Sequence, residues 1–163
     1  MFTLGIIISS DKGSKGERVD ESGKVIQEMM KQQGYEIKKY IVLPDEKELL
    51  AAEMIYMTDE LGVDLLLTSG GTGFSKRDIT PEATLTVVER LTPGISEAIR
   101  YNSLKITPRA MLSRAISGIR KDTLIINLPG SPKAVRESLE YIIPHIGHGL
   151  EILRGSASEC ARK

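Results

Sequence analysis

Three short runs, "FTLGIIIS" at the N-terminus, "VDLLLTS" in the middle and "TLIINL" late in the chain, are apolar on consecutive residues rather than on alternate ones. A strand with one wet face alternates. An unbroken apolar run of this length belongs to a strand covered on both faces. Each run ends abruptly in a polar or glycine-bearing loop: "SSDKGSKGERVDESG", "TSGGTGFSKRDITPEA" and "NLPGSPKA". Between the runs lie segments with helical spacing. "GKVIQEMMKQQG" places Val25, Ile26, Met29 and Met30 on one side and stops at Gly34. "YEIKKYIVLPD" reads as a further strand, and "EKELLAAEMIYMTDELG" as a helix ending at Gly62. "TPEATLTVVERL" reads as a helix with Thr80 as N-cap and Pro81 at its first position, and "ISEAIRYNSL" as another. Ser131 is expected to cap a long helix "PKAVRESLEYII", interrupted at Pro144 and resumed with a kink through "HIGHGLEILRG". "RAMLSRAISGIR" leaves a short helix, an extended segment, or one after the other all open.

Strands alternating with helices predict an α/β three-layer sandwich with a largely parallel sheet. The chain has 163 residues and shows no repeat, low-complexity tract or interdomain linker. We expect a single domain over 1–155 and a tail over 156–163. Lys plus Arg and Asp plus Glu number 22 each, and aromatics are 4% with no Trp. A basic nucleic-acid surface or a stacking platform is therefore not expected, and any anion site must be local. The single cysteine, Cys160, precludes an internal disulfide and reads as an exposed thiol. His145 and His148 stand i, i+3 but read as surface or packing residues rather than metal ligands. The N-terminus lacks a basic region and cleavage site, and no run has membrane-spanning length, so a cytoplasmic location is expected.

In parallel sheets, ligands bind beyond the carboxyl ends of the strands, which directs attention to the loops. Ser69, Gly70, Gly71, Thr72 and Gly73 form a turn that lets another group approach the backbone and can act as an anion nest. The spacing fits neither a dinucleotide fingerprint nor a P-loop. Lys76 and Arg77 offer cations for phosphate oxygens. Asp78 is either a helix-start acid or a Mg²⁺ ligand beside a polyphosphate; Asp45 in "LPDEKE" is either an N-cap or the second carboxylate of such a site. In loop one, Asp20 and Ser22 are candidates to cap the first helix or shape the pocket. Asn127, Pro129, Gly130 and Ser131 repeat the logic of the glycine turn, with Asn127 offering an amide to a base or pterin edge.

The combination "GGTG…RD-x-TPEAT" with "LPGSP", together with "LPDE" and "LKITPRAMLSRAISGIR", resembles the MogA/MoaB family of molybdenum-cofactor biosynthesis. The related domains of the plant molybdenum-insertion protein and of animal gephyrin are similar too. The likeness runs from about Thr3 to Gly155. It implies a molybdopterin-binding, MogA-like fold and Mg²⁺-dependent transfer of AMP from ATP to the molybdopterin phosphate, with release of pyrophosphate. Asp45 and Asp78 would then be the catalytic and metal-binding pair. Gly70 to Gly73 and Asn127 to Ser131 would bind nucleotide and phosphate. Ser103, Thr107, Ser113 and Ser117, with Lys76 and Arg77, would face the pterin. The family implies a homotrimer, or a hexamer on the MoaB side, and a molybdate-insertion enzyme downstream. A non-catalytic pterin-binding scaffold is the alternative, and a different nucleotide- or phosphosugar-binding enzyme a weaker third.

Overall fold

The computed structural model describes residues 1–156; of the expected tail, all but Ser156, Cys160 included, lies outside the described residues. Six strands form one sheet: β1 (Thr3–Ser9), β2 (Glu36–Leu43), β3 (Leu65–Ser69), β4 (Arg90–Leu91), β5 (Ser117–Arg120) and β6 (Thr123–Leu128). Their order is β2-β1-β3-β6-β5-β4. The first four in that order are parallel, while β5 runs antiparallel to both β6 and β4. The expected largely parallel α/β sheet is the one observed.

The helices are α1 (Asp11–Ser14), α2 (Glu21–Gln32), α3 (Lys47–Ile55), α4 (Thr80–Val87), α5 (Pro93–Leu104) and α6 (Pro132–Leu153). A π-helical turn, Tyr56–Glu60, extends α3, and a 3₁₀ turn, Pro108–Leu112, follows α5. The continuous apolar runs divide by parity between two cores. Leu4, Ile6 and Ile8 of β1 pack with Ile26 and Met30 of α2, Ile99 of α5 and Val135, Leu139 and Ile142 of α6. Ile7, Leu66 and Ile125 face the other way, onto Leu50 and Met54 of α3 and Ala83 and Val87 of α4. Burial on both faces is why these strands do not alternate in polarity.

Two expectations need correction, and one left open is resolved. Pro144 does not break α6, which runs unbroken through it for 22 residues. Pro lacks an amide donor, but its neighbours Ile142 and Ile146 stay buried in the core, and that packing holds the helix together. Thr80 is not an N-cap: Ile79 occupies that place without a side-chain bond, and the Thr80 hydroxyl is buried with no partner among the described residues. "RAMLSRAISGIR" proves to be both shapes in turn, a 3₁₀ turn and then β5. Ser131 does cap α6, accepting from the Ala134 amide.

Strands β2 and β3 lie on opposite sides of β1, so the chain reverses direction across the sheet there. β1, β3 and β6 stand in register, Ile8 beside Ser69 and Ser69 beside Leu128. Their three loops consequently leave the sheet at the same level. The reversal makes this the place where an α/β sheet opens a crevice.

Candidate functional site

The crevice has a volume of about 650 Å³. Among its lining residues are Ser9, Ser10, Asp20, Ser22, Asp45, Ser69, Gly70, Gly71, Asp78, Gly130 and Ser131. The four loops that sequence spacing sent to the strand ends thus share one cleft. The glycine turn is shaped by its neighbours. Gly70 sits at φ +93°, where a Cβ would lie 2.4 Å from the Ser9 carbonyl oxygen. Gly71 sits at φ +67°, with the Thr80 hydroxyl 2.3 Å from where a Cβ would stand. Only glycine lets β3 leave the sheet so close to β1. The Gly70 amide bonds to the Leu128 carbonyl (3.4 Å), tying this turn to the end of β6. Ser69 donates to the Pro129 carbonyl (2.7 Å) and Ser22 to the Gly130 carbonyl (2.7 Å), closing the same junction. No hydrogen bond among the described residues uses the amides of Gly71, Gly130 or Ser131. Those three donors are available to an anion in the cleft.

Asp45 is not a helix cap. Its carboxylate accepts from Ser9 Oγ (2.5 Å) and from the Asp11 amide (3.0 Å), and Asp11 returns the bond by accepting from the Asp45 amide (3.0 Å). Loops one and two are thereby locked together, and Asp45 is oriented from two sides. Asp78 accepts from the Ser75 amide through Oδ2 (2.9 Å), which closes the turn before α4 and leaves Oδ1 without a hydrogen bond among the described residues. Both residues line the cleft. Among the described residues, no group of three or more His, Cys, Asp or Glu side chains could hold a metal ion. Two oriented carboxylates without a third fit Mg²⁺, which takes one or two carboxylates and completes its shell with phosphate oxygens and water.

Arg77 does not line the cleft. Its guanidinium grips Asp11 with two bonds, Nε to Oδ2 (3.0 Å) and Nη2 to Oδ1 (2.8 Å). That fork, reinforced by the Asp45 backbone bond, lowers the Asp11 carboxyl from 3.8 to about 2. Lys76 is exposed beside it. Asp11 is a residue sequence reading passed over; its only outward sign was its place directly after β1. Asp20 caps α2 through the Gly23 amide (2.9 Å) and also takes the Tyr40 hydroxyl. Burial, followed by that bond, pushes the Tyr40 phenol up.

Asn127 does not reach the cleft. It is fully buried; its Oδ1 accepts from the Ile116 amide (3.2 Å) and its Nδ2 donates to Thr68 and Thr84 (2.9 Å each). With its amide saturated, it splices β6 to the segment before β5 and to α4 instead of offering an edge to a ligand. Ser117 is likewise buried, bonded to Ser96 Oγ (3.0 Å) and to the Thr92 carbonyl (2.7 Å). Thr72 and Gly73 do not line the cleft either: their carbonyls turn away to Arg114, which sequence reading also missed. Ser103, Thr107 and Ser113 meet in a second cavity of about 230 Å³, where Arg100 and Arg109 join them. Pro129 lines this second cavity while Gly130 and Ser131 line the first, so one short loop divides the two. His145 and His148 lie on the outer side of α6, where His148 faces Glu151.

Comparison with known proteins supplies the context. The family model described as a probable molybdopterin binding domain matches residues 5–148. The chain is 43% identical to the molybdopterin adenylyltransferase of Helicobacter pylori strain J99, over 98% of this chain and 92% of that one. It is 44% identical to gephyrin of Dictyostelium discoideum, over 93% of this chain and 22% of gephyrin. The crystal structure of the molybdopterin biosynthesis enzyme MoaB from Thermus thermophilus superposes with a TM-score of 0.90 at 44% identity, covering 95% of this chain and 98% of that one.

Proposed function

Because the chain belongs to the family of probable molybdopterin binding domains, we propose that it is a molybdopterin adenylyltransferase, moving AMP from ATP to the phosphate of molybdopterin. The observation that carries this is the meeting of Asp45 and Asp78 in one cleft with the unspent amides of Gly71, Gly130 and Ser131. Carboxylates and anion donors in one place suit phosphates accompanied by a cation, and suit neither alone. The naming of a 43% identical relative of nearly equal length as a molybdopterin adenylyltransferase supports the same reading.

The reaction is an in-line attack by a molybdopterin phosphate oxygen on the α-phosphorus of ATP. The new bond is a P–O–P linkage, and the bond to the β-phosphate oxygen breaks to release pyrophosphate. The attacking oxygen is already ionised, so the chain needs no nucleophilic side chain, and its task is to bring two anions together in line. Asp45 and Asp78 would hold Mg²⁺, which supplies charge neutralisation across the phosphates when bound. Ser9 and the Asp11 amide keep Asp45 aimed, and the Ser75 amide does the same for Asp78. The Gly71, Gly130 and Ser131 amides take phosphate oxygens. Ser103, Thr107 and Ser113, with Arg100 and Arg109, bring hydroxyls and cations to an otherwise largely apolar second cavity, a mixture suited to the pterin side of the substrate. Lys76 and Arg77 would serve a phosphate only from outside the cleft lining, Arg77 at the expense of its Asp11 bonds. A trimeric assembly and a cytoplasmic location complete the reading.

The test is pyrophosphate release from Mg-ATP, with and without molybdopterin, for wild type and Asp78→Asn, with light scattering of both preparations. The expected result is a trimer that releases pyrophosphate only with molybdopterin, and a variant that folds and binds molybdopterin but has lost at least about 100-fold in rate. A folded Asp78→Asn with the wild-type rate overturns the reading. Molybdopterin binding without release by the wild type makes the chain a binding module instead.

A further inference from the structure

The loop that carries Asp78 is held from outside the cleft by one side chain. Arg114 donates from Nε to the Gly73 carbonyl (2.7 Å) and from Nη2 to the Asp78 carbonyl (2.9 Å). Its backbone amide donates to the Thr72 carbonyl (2.9 Å), and Nη1 pairs with Glu82 of α4. One residue thus takes three carbonyls between Thr72 and Asp78, at both ends of the exposed bulge Phe74–Arg77, and anchors them to the first turn of the following helix. The planar guanidinium is the group that can do this, because its donors form a fixed fork. Glu82 has few other options: its second oxygen, Oε2, is buried with no partner among the described residues. Burial works to raise the Glu82 carboxyl, yet the hydrogen bond from Arg114 and its charge outweigh that and leave it lowered.

Arg114 also sits between two residues of the second cavity's wall. Its neighbours Ser113 and Ala115 line that cavity, and their carbonyls are held there by Arg100 Nη1 of α5 (3.4 and 2.6 Å). The segment Ser113–Ala115 therefore has one side toward the second cavity and, through Arg114, a grip on the loop of the first.

We infer that Arg114 is a positioning residue: it fixes the Asp78 loop against α4 and ties the geometry of that loop to the wall of the second cavity. It does not touch the reacting phosphates; its effect reaches the reaction through Asp78. The catalytic part of this inference rests on the adenylyl-transfer reading above, whereas the positioning part does not.

The experiment compares wild type, Arg114→Lys and Glu82→Gln. Lys keeps the charge but has no fork, and Glu82→Gln leaves the fork but removes its ionic anchor. Amide hydrogen exchange of the ligand-free proteins reads the loop directly. Peptides spanning 71–79 are expected to exchange at least about 10-fold faster in Arg114→Lys and less so in Glu82→Gln, with β1 and β6 peptides unchanged. In steady state, kcat is expected to fall about 10–100-fold in Arg114→Lys and the Mg²⁺ concentration for half-maximal rate to rise, with KM for ATP within about twofold. Adding Asp78→Asn to Arg114→Lys is expected to cost little beyond Asp78→Asn alone, because both act on one group. Unchanged exchange in the 71–79 peptides of both variants overturns the positioning role outright. Faster exchange with unchanged kcat and Mg²⁺ dependence, or a loss fully additive with Asp78→Asn, overturns its link to the reaction. A wild type without adenylyl transfer refutes the functional reading and leaves the exchange result to judge Arg114 on its own.

Discussion

A methyl group on Gly70 would sit 2.4 Å from the Ser9 carbonyl oxygen, in a backbone conformation at φ +93° that L side chains rarely adopt. Neither obstacle can relax cheaply, because Ser9 is the last residue of β1, the Gly70 amide is bonded to the last residue of β6, and Ser69 is bonded to Pro129 just past it. Gly70→Ala is expected to cost about 2–4 kcal/mol, from strained backbone and overpacking together, read as a shift in the urea midpoint. It should also depress activity in the folded protein, since the turn lines the cleft. At this scale the sequence was most informative about charge and least about partners. Asp45 announced itself as a carboxylate just beyond a strand end, and Asp78 as one just before a helix start. Nothing local, however, distinguishes Asn127, whose amide is consumed by Ile116, Thr68 and Thr84, from an asparagine free to meet a ligand. Its saturation depends on residues 11, 59 and 43 positions away, and so appears only once the sheet has formed. Arg114 was invisible for the same reason: three of its four acceptors are backbone carbonyls, which carry no sequence signal, and the fourth, Glu82, is 32 positions away.

Among the elements, α6 tests how far local rules reach. Pro144 marks a break by propensity, and Gly147 and Gly149 weaken the same stretch, yet the helix continues to Leu153. Buried Ile142, Ile146 and Leu150 return at i, i+4 and i+8 and hold it on the sheet. Packing therefore outweighs propensity here, which is why the interruption expected at Pro144 does not occur. A Cβ at Gly147 would meet nothing within 4 Å. Gly147→Ala should accordingly stabilise the protein by about 0.5–1 kcal/mol, through the lower backbone entropy of the unfolded chain; thermal denaturation reads it, and a fall in stability would show that the glycine serves a contact outside the monomer. The long strands β1, β3 and β6 were legible from their unbroken apolar runs. The short β4 and β5 were not, since two and four residues are too few to show a period, and β4 is exposed.

At the scale of the whole molecule, the far ends of the described chain meet at one carboxylate. Asp64, just before β3, accepts from the Thr3 amide (2.7 Å) and hydroxyl (2.7 Å) at the start of β1, and from Arg154 Nε (2.5 Å) just past α6. Arg154 also stacks over the Phe2 ring, 4.5 Å from its centroid. Burial alone would raise the Asp64 carboxyl; the bonds from Arg154 and Thr3 outweigh it and lower the group below its ordinary 3.8. A carboxyl lowered on folding stabilises the fold fully above its unfolded pKa and loses that contribution as pH falls through the folded value. The side chain is only 12% exposed, so removing it leaves donors at Thr3 and Arg154 poorly satisfied. Asp64→Ala is expected to cost about 2–4 kcal/mol at pH 7. Below about pH 4 that difference should shrink, because wild type then loses the same interaction by protonation while the variant has none to lose. Denaturation curves of both proteins between pH 7 and pH 2 measure it. A difference that stayed constant across that range would mean that Asp64 acts through its shape rather than its charge, and that the closure of the termini rests on Arg154 stacking over Phe2 instead.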